Sequence, residues 1–299
     1  MSILVVGSVA LDTLKTPFGS CCDCLGGSAT YFSMSAIHFA PVNLVAVVGE
    51  DFPAKHLSLL RRKGINLEGL VTAPGKTFRW EGEYGFDCNS AKTIATHLNV
   101  FASFNPEIPE AYRDGKYVFL ANIDPDIQER VLRQVHNPKL IACDTMNHWI
   151  ESKRASLVPF LKKVDLLFLN DAEARQLSGE HNLLKAAKAI IRLGPKRVIV
   201  KKGEHGALLV SKQSLYSVPA FLLEEVFDPT GAGDTFAGGV MGYIAQRGRL
   251  DEATLRKAIV YGTVMATFTV EDFSLNRLAT VTKNDIAKRL KAFHQLTAF

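Results

Sequence analysis

A chain of 299 residues, 47% of them hydrophobic, is long enough to bury a substantial core as one large α/β domain or two small ones. Its net charge of +5 is modest, and no run of five or six Lys/Arg occurs, which excludes a basic nucleic-acid stripe and a polybasic membrane anchor but leaves small anionic substrates open. The start Met1 to Gly7 has no basic leader, and no apolar stretch approaches the ~18 residues needed to span a bilayer, so a cytoplasmic protein is expected.

In chain order, the first apolar run is Ile3-Leu4-Val5-Val6, a strand that ends at Gly7 and leads to Asp12. Residues 12 to 25 show no helical period, and they hold three of the five cysteines, Cys21, Cys22 and Cys24. With Cys88 and Cys143 standing apart, the odd count argues against a secreted disulfide framework, and reduced thiols are expected. Cys21-x-x-Cys24 is half a zinc site at most, because no second pair supplies the other ligands. Gly26-Gly27 then opens a helix near 28 to 40, followed by a strand at Leu44 to Val48 and a helix near 53 to 63.

The stretch Gly69 to Thr77 superficially suggests a phosphate-binding P-loop, but five residues intervene where that pattern allows four, and Pro74 removes an amide from the cradle. Phe78 to Phe86 alternates aromatic and polar residues at period two, as a strand with one apolar face does. Strands follow at Tyr117 to Leu120, Leu140 to Cys143, Leu166 to Leu169 and Val198 to Val200, with helices near 125 to 136, 151 to 163 and 182 to 193. The last third reads as helices near 232 to 247, 251 to 269 and 283 to 294. Continuous apolar strands alternating with amphipathic helices predict an α/β fold whose mostly parallel sheet is covered on both faces.

The most informative segment is Asp228-Pro229-Thr230-Gly231-Ala232-Gly233-Asp234 at the start of the helix near 232. Gly231, Ala232 and Gly233 leave the backbone bare where unpaired N–H groups and the positive dipole end can receive an anion. Asp234 beside that site would repel a phosphate, which suits a general base that takes the proton of an acceptor hydroxyl. The same residues also read as a capped loop entering a buried helix. Asn170 and Glu173, after the strand at Leu166, fit either a helix cap or a pair that positions Mg2+ and phosphate oxygens, and the two readings are compatible. Lys201-Lys202-Gly203 is a strand running into a glycine turn, where either lysine can serve a phosphate as a point charge or simply face water.

Taken in order, Asp12, Gly26-Gly27, the aromatic strand, Asn170-x-x-Glu173, Lys202-Gly203 and Asp228 to Asp234 resemble the ribokinase-like, or PfkB, family of carbohydrate and nucleoside kinases across essentially the whole chain. The resemblance implies a single ribokinase-like domain over 1–299, three-layered α/β/α, with lid excursions at about 12–25 and 76–101 that form a small β lid and a candidate homodimer surface. It implies ATP and Mg2+ as cofactors, Asp234 as base, Gly231 to Asp234 as anion hole, and Asp12, Gly26 and Gly27 as binders of substrate hydroxyls. Tyr31 and Trp80 then join the substrate side, Asn276 the nucleotide side, and Asp228 and Thr230 a candidate K+ site. The expected activity is phosphorylation of a sugar or polyol hydroxymethyl group, with a nucleoside kinase as the alternative and a non-catalytic binding protein as a third reading.

Two departures bear on the acceptor. Where ribokinases of this pattern carry Asn early in the first helix, the chain has Ala29-Thr30-Tyr31-Phe32, and no amide can pair with ribose there. Asp144-Thr145-Met146-Asn147-His148-Trp149 partly resembles an Asp-x-Asn-x-Arg run of sugar kinases but lacks the arginine. An oxidoreductase reading fails because no Gly-x-Gly-x-x-Gly follows the first strand.

Overall fold

The computed structural model describes residues 1–89 and 91–298. Along the described chain the strands are β1 (Ile3–Val6), β2 (Ala10–Thr16), β3 (Gly19–Gly26), β4 (Val42–Gly49), β5 (Asn66–Ala73), β6 (Arg79–Tyr84), β7 (Ala91–His97), β8 (Tyr117–Leu120), β9 (Leu140–Asp144), β10 (Leu166–Asn170), β11 (Arg197–Lys201), β12 (Ala207–Ser211) and β13 (Leu215–Val218). Nine of them form the main sheet in the order β13-β12-β11-β10-β9-β8-β1-β4-β5. Pairing is parallel from β11 across to β5, and β12 and β13 add an antiparallel edge.

The apolar strands are buried on both faces because successive side chains feed two different cores. Ile3 and Val5 point into one core with Phe119, Phe168, Phe236 and Met265, while Leu4 and Val6 point into the other with Leu157, Phe160 and Ile190. Helices Ser28–Ala36, Ala232–Arg247 and Glu252–Val270 cover the first face, and Arg154–Leu161, Asp171–Ser178 and Leu183–Leu193 cover the second. The fold is therefore the expected three-layer α/β/α arrangement. Edge strands β5 and β13, and β12 beside β13, are not among the strands expected from sequence; β5 is mostly exposed or half-buried and mixes Asn66, Glu68 and Gly69 among its apolar residues. The helix expected near 151 to 163 is two, Asn147–Ser152 and Arg154–Leu161, broken where Lys153 leaves helical geometry at φ −125°.

The second sheet, β3-β2-β6-β7, draws its strands from the two stretches that interrupt the alternation. In the parallel β2–β6 pair Asp12 lies opposite Trp80 and Leu14 opposite Gly82, so Asp12, Trp80, Gly82 and Tyr84 share one face. The other face is polar, with Lys15 paired to Glu83 at 2.7 Å. The aromatic strand is shorter than its alternation suggests: it ends at Tyr84, and Phe86 beyond it is 92% exposed. Cys21 and Cys24 are joined as a disulfide on β3, where reduced thiols were expected; Cys22, Cys88 and Cys143 are free. Among the described residues no helix is long and apolar enough to cross a membrane.

Candidate active site

The loop before helix Ala232–Arg247 is shaped by Asp228, which is 1% exposed. One carboxylate oxygen accepts the Thr230 N–H at 2.9 Å, and the other accepts the Ser274 N–H at 3.0 Å, tying the loop to the segment after helix Glu252–Val270. Gly231 then takes a left-handed conformation at φ 74°, which a residue without Cβ adopts at little cost. The Ala232 amide returns to the Pro229 carbonyl and the Thr235 amide to that of Gly231. Among the described residues, the amides of Gly233 and Asp234 have no such partner. These are the unsatisfied donors of a helix start, facing the place where an anion is held best.

Asp234 sits on that first turn amid four other charges. Its enclosure, followed by the charge of Asp144, pushes its pKa up to about 8, with Glu173 and Asp12 adding and Lys201 opposing. The cluster forms because three neighbouring parallel strands end together: Asp144 closes β9, Asn170 closes β10 and Lys201 closes β11. The Asp144 carboxylate binds the Lys201 ammonium at 2.7 Å. Burial works to lower the pKa of Lys201, but the charges of Asp144, Glu173 and Asp234 outweigh it and raise it. Asn170 and Glu173 form a full capping box on helix Asp171–Ser178: the Glu173 N–H donates to Asn170 Oδ1 at 2.8 Å and the Asn170 N–H to Glu173 Oε2 at 2.7 Å. Burial and the Asp144 charge hold the Glu173 carboxyl above its usual range.

Asp12, 4% exposed, packs so closely on Gly26 that a Cβ there would fall 1.8 Å from its carboxylate oxygen. Burial raises its pKa to about 7, the nearby Gly27 amide opposing and Asp228 adding. Trp80, its neighbour across the β2–β6 pair, lies with one ring face over Gly82, where a Cβ would fall 2.2 Å from the ring, and its indole N–H donates to Thr93 Oγ1 at 3.2 Å. Tyr31 is 1% exposed, and its ring face is covered by Gly231. Tyr31, expected on the substrate side, is thus a floor under the anion loop; its hydroxyl is buried without a partner.

On the Lys201 side of the anion loop lies a cavity of about 340 Å3, whose lining includes neither Asp12 nor Trp80. Lys201, Gly203 and Gly233 line one part of it, and Phe221, Val226 and Phe236 are among the apolar residues that line the rest. The structure brings Lys201 to this cavity and not Lys202, whose N–H is tied to the Gly206 carbonyl at 2.8 Å. Asn276 also lies outside the cavity lining, exposed and 3.4 Å from Asp272. Sequence reasoning gave no place at the phosphoryl-transfer end to two residues that the fold brings to it. Asp144 was readable as the polar end of an apolar strand, and Tyr84 as part of the aromatic face. Tyr84 shares a hydrogen bond of 3.1 Å with Thr230 Oγ1, linking the small sheet to the anion loop. Tyr84→Phe is expected to raise acceptor KM roughly 5-fold, the scale of one lost hydrogen bond, with thermal stability nearly unchanged; steady-state kinetics and a thermal melt check this.

A parallel α/β sheet whose strand ends face a glycine-rich helix start, with a carboxylate on its first turn and a lysine beside it, defines a site for phosphoryl transfer. The model of the pfkB family of carbohydrate kinases matches residues 26–282, and the chain belongs to that family and is a kinase. It is 32% identical over 263 residues to the cytidine kinase of Thermococcus kodakarensis, covering 86% of this chain and 92% of that one. To the deoxyribokinase of Salmonella typhi it is 26% identical over 288 residues, covering 89% and 93%. The crystal structure of Methanocaldococcus jannaschii nucleoside kinase, an archaeal member of the ribokinase family, superposes with a TM-score of 0.77 at 20% identity over 97% of this chain and 98% of that one.

Proposed function

We propose that the chain transfers the γ-phosphoryl group of ATP to the hydroxymethyl group of a nucleoside, which reverses the order of the two acceptors expected from sequence. The observation that carries this reading is Trp80. Its ring lies flat on Gly82 beside Asp12, on the face of the small sheet that also presents Tyr84. A flat ring held next to a hydroxyl-binding carboxylate suits an acceptor that joins a base to a sugar. The likeness to a cytidine kinase supports the same choice.

In this mechanism Asp12 and the Gly26-Gly27 turn orient the sugar hydroxyls, and the small sheet acts as a lid that excludes water. Asp234 accepts the hydroxyl proton as the oxygen attacks the γ-phosphorus in line; the bond to the β-phosphate oxygen breaks, and ADP leaves. The free amides of Gly233 and Asp234 hold the charge on the transferring group. Mg2+ fits here as an ion held largely by phosphates and water, because no cluster of three ligating side chains occurs among the described residues, while Glu173 is anchored to the Asn170 amide through Oε2. When bound it neutralises phosphate charge. Asp228 and Thr230 keep oxygen lone pairs for K+: each Asp228 oxygen accepts a single amide, and the Thr230 hydroxyl donates to Tyr84. A free sugar or polyol is the second reading, favoured by the likeness to a deoxyribokinase.

Trp80→Ala separates the two acceptors. Loss of base stacking is expected to lower kcat/KM for the best nucleoside roughly 10-fold or more, since stacking on an aromatic contributes about 1–3 kcal/mol per base. Activity on free ribose or deoxyribose should change less than about 3-fold, because such an acceptor has no base to stack. Equal losses on both acceptor classes would contradict the assignment of Trp80.

A further inference from the structure

The geometry points to Asp144 as a positioning residue of the phosphoryl-transfer site, one that pins the Lys201 ammonium against the anion loop. The 2.7 Å ion pair is well enclosed, with the Asp144 side chain 5% exposed and that of Lys201 18%. Asp144 is itself held on several sides. Its Oδ2 receives the ammonium, its Oδ1 accepts the Thr145 N–H at 2.8 Å, and its backbone carbonyl accepts the buried Gln128 amide at 3.1 Å. The far end of Lys201 reaches Gly233, where a Cβ would stand 3.0 Å from Nζ. The ammonium therefore lies between a fixed carboxylate and the loop whose amides are free.

A lysine is a mobile point charge on a four-carbon stem. Left unpinned beside Glu173 and Asp234, both of which act on it, it has other carboxylates to pair with. A buried ion pair adds little net stability, because desolvation offsets the attraction, but it does fix where the charge sits. Asp144 fixes it at the phosphate end of the cavity. This role differs from that of the Asp-x-Asn-x-Arg run suggested by sequence, in which Asp144 and its neighbours would face the acceptor. It does not depend on whether the acceptor is a nucleoside or a sugar.

The test is a double-mutant cycle of Asp144→Asn and Lys201→Met, with Asp144→Glu as the conservative variant. Kinetics are measured with the best acceptor, and ATP and ADP binding by calorimetry without acceptor. Asp144→Asn is expected to lower kcat roughly 10²-fold, the scale of a misplaced catalytic group, with acceptor KM changed less than about 3-fold and Asp144→Glu recovering part of the loss. In the Lys201→Met background the same change should cost less than about 3-fold more, because residues that act as one unit are not additive. Multiplicative losses in the double variant, or a raised acceptor KM with kcat kept, would overturn the proposal. If thermal melts show that Asp144→Asn does not fold, the ratio of ATP to ADP affinity decides. A fall in both Lys201→Met and Asp144→Glu supports the pairing, and a fall in Lys201→Met alone refutes it.

Discussion

Asp234→Asn is expected to lower kcat by roughly 10² or more while acceptor and ATP binding are largely kept, the scale expected for loss of a general base. The amide retains size and hydrogen bonding but cannot take a proton from the acceptor hydroxyl. In the wild-type enzyme the acid limb of the kcat/KM profile should lie far above the ordinary carboxylate range, because enclosure and the charges of Asp144 and Glu173 push Asp234 up to about 8. Activity therefore falls as the pH drops through that value, and the residual activity of the variant lacks this limb. Stability moves the other way. The folded state binds the Asp234 proton more tightly than the unfolded chain does, so folding loses stability as pH rises from 3.8 toward about 8. Asp234→Asn removes that loss, and its Tm should exceed the wild-type value at pH 8 but match it near pH 3.5. Turnover close to wild type would show that some other group takes the proton.

Gly231→Ala should be nearly as damaging. At φ 74° the position favours glycine, and the new Cβ would stand 2.3–2.4 Å from three atoms of the Tyr31 ring. That ring is 1% exposed and has no room to retreat. The loop must shift, and with it the free amides of Gly233 and Asp234. Removing one well-placed donor of this kind costs about 10²–10³ in kcat, and a similar loss is expected here. Adding Tyr31→Ala relieves the collision but not the backbone strain, so the double variant should recover only part of the activity. Near-wild-type kcat in Gly231→Ala would mean that the loop geometry is not what holds the transferring charge.

Much of this arrangement is legible in local sequence, for a physical reason. Helix Ala232–Arg247 starts where bare glycines meet Asp234, and the capping box of Asn170 and Glu173 is a bond pattern across three residues, so neighbours in sequence determine both. The central strands are legible because burial on both faces forces continuous apolar runs. The edge strands β5 and β13 lack that constraint, and their mixed residues carry no comparable pattern. The contacts that give side chains their roles are of a different kind. Lys201 meets Asp144 across 57 positions and Tyr84 meets Thr230 across 146, and no local spacing encodes either. Tyr31 shows the same limit: its sequence position suggested the acceptor, whereas packing against Gly231 makes it the support of the anion loop.

The central claim is most directly tested by ADP release from the wild-type protein with ATP and Mg2+ over a panel of nucleosides, free pentoses, hexoses and inositols. The account predicts ADP formation with at least one nucleoside at a kcat/KM well above that of any free sugar, and phosphate on the nucleoside hydroxymethyl group in the product. Release with a free sugar or inositol but with none of the nucleosides would contradict it.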